Sequence, residues 1–125
     1  MGKAENAVEQ RLVDTAHRAG FECFKFISGE SGVPDRILVG AGQVVFIELK
    51  APGQKLRDQQ KRVISRLHDQ SVTALAIDDP ADAELVVQAV GQNRLPELLE
   101  RRTDLIPDCT LPATDLSRPL QIHSL

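Results

Sequence analysis

The residues of this chain best suited to chemistry gather in one stretch, PDRILVGAGQVVFIELK, residues 34–50. Asp35, Glu48 and Lys50 stand there among valines and isoleucines. A core excludes unpaired charge, so three ionisable groups in a hairpin-like segment have either a solvent-facing or a chemical reason. Side chains alternate along a strand, which puts Asp35, Ile37 and Val39 on one face of the first strand. Val44, Phe46, Glu48 and Lys50 share a face of the second. A two-residue turn at Ala41-Gly42 would pair Gly40 with Gln43, Ile37 with Phe46 and Asp35 with Glu48. Directly opposed like charges destabilise a sheet. Around a hard divalent cation they make sense: Mg²⁺ takes one or two carboxylates, keeps several waters and draws further ligands from substrate phosphate. Such an ion polarises a phosphoryl group, while a neighbouring lysine orients water or steadies developing charge. A solitary Glu-x-Lys is more often an exposed ion pair of little energetic weight. Pro34-Asp35, spaced to face the glutamate, reverses that preference.

Two further residues break their local pattern toward the same place. Gln60 falls on the apolar face of the segment after the hairpin, between Leu56 and Ile64, and a buried amide needs partners. Glu9 borders the stripe Val8, Leu12, Ala16, Ala19 of a helix that Gly20 stops. With the hairpin they make an acidic pocket walled by two helices. The elements that must hold it read in order. After the first helix, FECFKFI (21–27) is a strand and SGESGVP (28–34) a loop. The hairpin follows, then a helix over 55–70, a strand over 71–78 and a helix over 81–90. The order α-β-β-β-α-β-α predicts an α/β fold, a mixed β-sheet flanked by helices. From Gly91 the texture changes: four of the seven prolines lie beyond it, and only LPELLERR (95–102) looks helical. We therefore divide the chain into a domain over 1–91 and a C-terminal extension over 92–125, packed against the domain or a partner.

The 125-residue chain has 42% hydrophobic and 26% charged residues, ordinary for a soluble domain with a core of its own. No apolar run is long enough to span a membrane, and MGKAENAVEQ is too polar for a secretory signal. Cys23 and Cys109 match no metal or redox spacing, which suits a reducing cytoplasm, and His17, His68 and His123 are too scattered for a zinc site. The net charge of −3 argues against nucleic acid, but its distribution does not. Residues 1–70 hold 11 Lys and Arg against 9 Asp and Glu, whereas residues 71–125 hold 4 against 9. KLRDQQKRVISR (55–66) supplies Lys55, Arg57, Lys61 and Arg62, a basic helix in an acidic chain and a candidate phosphate contact.

Pro34-Asp35 followed by Glu48-Leu49-Lys50 resembles the PD-(D/E)XK nuclease signature. The longer string GVPDRILVG…VVFIELKAPGQKLRDQQ is similar to the VRR-NUC (virus-type replication-repair nuclease) branch, over residues 5–90. The resemblance implies a restriction-endonuclease-like core and Mg²⁺ or Mn²⁺ held by Asp35, Glu48 and the Leu49 carbonyl. It implies Lys50 as the catalytic lysine, supporting roles for Glu9 and Gln60, and a match of Lys25 to a lysine many relatives carry. It further implies a homodimeric, phage or bacterial DNA endonuclease acting on branched DNA such as four-way junctions. With no Trp or Tyr and four Phe, the chain suits backbone rather than base recognition. A catalytically silent DNA-binding or assembly module on the same fold is the alternative, and a nuclease of RNA a third reading.

Overall fold

The computed structural model describes residues 2–106. Helix α1 (Lys3–Arg18) leads into strand β1 (Glu22–Lys25), followed by β2 (Arg36–Gly40) and β3 (Gln43–Leu49). Helix α2 (Asp58–Asp69) crosses over to β4 (Thr73–Ile77), and α3 (Pro80–Gly91), α4 (Leu95–Arg101) and a 3₁₀ turn (Thr103–Leu105) follow to the end of the described residues. The four strands form one sheet in the order β1-β2-β3-β4. The first three are antiparallel, and β4 runs parallel to β3. A parallel neighbour needs a long crossover, which α2 provides.

Ala41 and Gly42 both adopt positive φ, 50° and 75°, the requirement of a two-residue I′ hairpin turn. The register follows as the turn dictates: Gly40 pairs with Gln43, Val39 with Val44 and Ile37 with Phe46. A one-residue slip would have turned every side chain to the wrong face.

The two faces of the sheet are covered unequally. Val45, Ile47 and Leu49 point, with Leu38, Leu75 and Ile77, into the main core, where Val8, Leu12 and Ala16 of α1 meet Val86 and Val90 of α3. On the other face, among the described residues, α2 is the one helix: Ile64 and Leu67 pack with Leu56, Phe46, Ala74 and Ala76. Glu48 belongs by alternation to this more open face.

Three boundaries differ from the sequence reading. Helix α2 starts at Asp58 and not at residue 55, because the Gln60 Oε1 accepts the Arg57 N–H at 2.9 Å and makes Arg57 the cap. Pro80 is the first residue of α3, a position where its missing N–H is harmless. Asp79 caps that helix, its Oδ1 accepting from the Ala81 N–H at 2.8 Å. Strand β1 ends at Lys25, with one further bond from the Phe26 N–H to the Asp35 carbonyl at 2.8 Å. Beyond Gly91, Leu95, Leu98 and Leu105 are buried in the main core. Arg102 donates to both oxygens of Asp82 (3.0 and 2.9 Å), fastening this segment to α3. Cys109 and Pro107, Pro112, Pro119 and His123 of the extension lie outside the described residues.

Candidate active site

Asp35 stands one residue before β2, and the register carried one step past Arg36↔Ile47 sets it opposite Glu48. Glu48 is 3% exposed near the end of β3, and its carboxyl donates a hydrogen bond to Asp35. Burial, then the Asp35 charge, push the Glu48 pKa up to about 8; Lys50 pulls it down, and Glu5 adds a smaller push upward. In the metal-free protein Glu48 therefore holds its proton up to neutral pH, because burial and a neighbouring carboxylate both oppose its charge. Lys50 is 7% exposed, and its backbone N–H bonds to the Ile77 carbonyl at 2.9 Å, so the parallel ladder fixes its base. Gln60, also buried, uses both ends of its amide. Its Nε2 donates to the Glu48 Oε2 at 3.1 Å while its Oε1 caps α2. The irregularity seen on the apolar face of this segment is therefore a bridge between a strand carboxyl and a helix terminus.

These groups line an open cleft of about 470 Å³, together with Glu5, Lys55 and Arg57. A second hollow, about 530 Å³, continues from it, sharing Lys50, Gln54 and Lys55 and adding Lys61. Asp78 on its wall accepts from the Gly53 N–H at 3.0 Å, and Gln54 bonds the Ala51 N–H at 3.1 Å; these bonds shape the loop between β3 and α2. Lys55 and Arg57 are exposed on that loop, before the helix rather than on it. Arg62, half-buried on α2, lines neither hollow.

Glu9 and Lys25 are not brought to this cleft. Arg36 points to the opposite face of the sheet, where its guanidinium holds the Glu9 Oε2 at 2.9 Å and donates to the Cys23 carbonyl at 3.2 Å. Glu9 is thereby a partner in a half-buried structural ion pair. Lys25 pairs with Arg36 in the ladder, so it shares that far face, exposed at the end of the edge strand. The α1 residue that reaches the cleft is Glu5, one turn earlier. Both carboxylates border the same stripe at i and i+4, and only the angle at which α1 crosses the sheet decides between them. Among the described residues no three His, Cys, Asp or Glu side chains gather in one metal cage. A cation here would rest on two carboxylates and main-chain oxygen, a donor set that fits Mg²⁺ or Mn²⁺ and not zinc.

Residues 3–78 match the family model of the VRR-NUC domain. The chain is 34% identical over 89 residues to the "Putative nuclease p44" of Acyrthosiphon pisum secondary endosymbiont phage 1, covering 70% of this chain and 95% of that protein. A solved structure of a VRR-NUC domain superposes with a TM-score of 0.63 at 19% identity, over 70% of this chain and 97% of the other, a likeness of fold.

Proposed function

The chain belongs to the VRR-NUC domain family, and we propose that it is a divalent-metal-dependent endonuclease that hydrolyses phosphodiester bonds of DNA. The observation that carries this reading is Asp35 bonded to buried Glu48, with Lys50 beside them in a cleft rimmed by Lys55 and Arg57. Asp35, Glu48 and the Leu49 main-chain carbonyl would hold Mg²⁺ or Mn²⁺. Bound there, the ion would supply positive charge against the phosphoryl oxygens. Lys50, its stem buried and its base fixed by the ladder, presents an ammonium that orients water for attack and steadies charge as it develops on the phosphorus oxygens. Gln60 keeps one oxygen of Glu48 engaged and so restricts the direction of the other. Lys55, Arg57 and Lys61 receive flanking phosphates, positions that select no sequence.

Branched DNA, such as a four-way junction, is the substrate we favour, cut by a homodimer. Resolution takes two nicks, and a two-fold dimer sets two equivalent sites against a symmetric substrate. Phe24, Ile27 and Val44, 53%, 85% and 50% exposed, support a face for self-association. A cleavage panel of single-stranded, duplex, flap and four-way-junction DNA, plus matching RNA, with EDTA, Mg²⁺ or Mn²⁺ tests the proposal. Metal-dependent cutting strongest on junctions is the expected result. Binding with no cutting in any metal would leave a silent DNA-binding module. Equal cutting of linear duplex by a protein that light scattering finds monomeric would remove the junction.

A further inference from the structure

We infer that Gly32 and Gln59 are positioning residues for Asp35, a second clamp on the site beside the one Gln60 makes on Glu48. The inference rests on the metal-site reading above. Asp35 lies one residue outside the β2 ladder. Pairing sets which face its side chain takes, and the Phe26 N–H holds its carbonyl, but the β2–β3 register ends at Arg36 and leaves its position along the cleft to the segment before it. Its approach is set by the loop that enters from residue 28. That loop is seated on the first turn of α2. Gly32 has φ +91°, and a Cβ placed there would lie 2.8 Å from the Gln59 carbonyl oxygen and 2.8 Å from its Cγ. Real Cβ atoms essentially never come so close to backbone, so loop and helix main chains touch with no room for any side chain. Beside this contact the Gln59 Nε2 donates to the Ser31 carbonyl at 3.3 Å. From Gly32 only Val33 and Pro34 intervene before Asp35. Pro34 is buried and its ring fixes φ, so displacement at Gly32 passes to Asp35 with little slack.

The outer contact of the same loop, Arg66 to Glu30 at 3.1 Å, joins two half-exposed side chains and adds little. Gln59 and Gln60 are thus adjacent residues of one helical turn with separate tasks. Gln60 bonds one carboxylate directly, and Gln59 seats the loop that delivers the other. Helix α2 acts as a jig whose rigidity sets the spacing of the pair. Outer contacts of this kind typically alter metal affinity by about 10–100-fold when lost.

The test is calorimetric Mn²⁺ binding to the full chain, with melting temperatures measured alongside. Gly32→Ala should bind Mn²⁺ about tenfold or more weakly. Gln59→Ala, which leaves the backbone contact intact and carries the test if the first variant does not fold, should bind about 2–5-fold more weakly. Leu98→Ala, in the core far from the cleft, should lower the melting temperature and leave Mn²⁺ affinity unchanged. Wild-type affinity in both loop-clamp variants, or an equal loss in Leu98→Ala, would overturn the inference. A wild-type protein that binds no Mn²⁺ would overturn the metal reading itself and this inference with it.

Discussion

Replacing Asp35 with Asn should stabilise the metal-free protein, and the gain should depend on pH. Glu48 carries a folded-state pKa of about 8 against an ordinary 4.5, raised first by burial and then by the Asp35 charge. A raised carboxyl favours folding only while protonated: its contribution is full below about pH 4.5 and is lost as pH rises through about 8. At about 1.4 kcal/mol per unit, the penalty on the metal-free fold reaches up to about 5 kcal/mol above pH 8. The Asp35→Asn change keeps the shape and removes the opposing charge but not the burial, so only part of that penalty is relieved. Like charges about 4 Å apart repel by about 4 kcal/mol at an effective dielectric of about 20, and we expect a net relief of about 1–3 kcal/mol at pH 9. For a domain of this size that corresponds to roughly 4–12 °C in melting temperature. Near pH 5–6 the wild-type Glu48 is protonated and donates to Asp35, so the gap should close there. Thermal melts in EDTA at pH 6, 7.5 and 9 read the effect directly. Mn²⁺ should then raise the wild-type midpoint by binding the folded state and barely move the variant. A variant less stable than wild type at pH 9, or a gap that stays constant with pH, would refute the facing-carboxylate argument.

Lys50→Ala should keep metal binding and fold yet lose about 10²–10³ in turnover, because in the proposed role its ammonium would act on the reacting centre; single-turnover cleavage at saturating metal measures it. Neutralising Lys55, Arg57 and Lys61 together should weaken duplex binding and flatten its salt dependence, each lost phosphate contact reducing the log–log slope by about 0.9. Merely solvated side chains would leave the slope unchanged in a salt titration of both proteins. Ending the chain at residue 91 removes Leu95, Leu98 and Leu105 from the core, each worth about 1.5–3 kcal/mol. Against a typical total of about 5–15 kcal/mol this should leave the shortened chain largely unfolded, whereas a chain ending at 106 should melt cooperatively. Far-UV circular dichroism of the two chains distinguishes a folding unit of 1–91 from one reaching Leu105.

The facing of Asp35 and Glu48 could be worked out from the sequence because one local feature determined it. Ala41-Gly42 sets a two-residue turn, and the period of two along a strand does the rest. Gln60 was legible for a related reason: a polar side chain on an apolar helical face has to be bonded, and the carboxylate of the preceding strand lay within reach. Glu9 was misplaced because it breaks no pattern that its own helix can interpret. Its partner, Arg36, lies 27 residues away on β2 and points to the other face of the sheet. Helix periodicity fixes which side of α1 faces inward but not where along the axis the sheet edge falls, and one turn separates Glu5 in the cleft from Glu9 in an ion pair. Lys55 and Arg57 moved off the helix on the same logic. The Gln60 amide that holds Glu48 also takes the Arg57 N–H, so the site itself sets where α2 begins. That coupling has a mechanical consequence. The loop carrying Lys55 and Arg57 is tied, through a single amide, to the carboxyl that would bind the metal, so the basic rim and the acidic floor of the cleft keep a fixed relation.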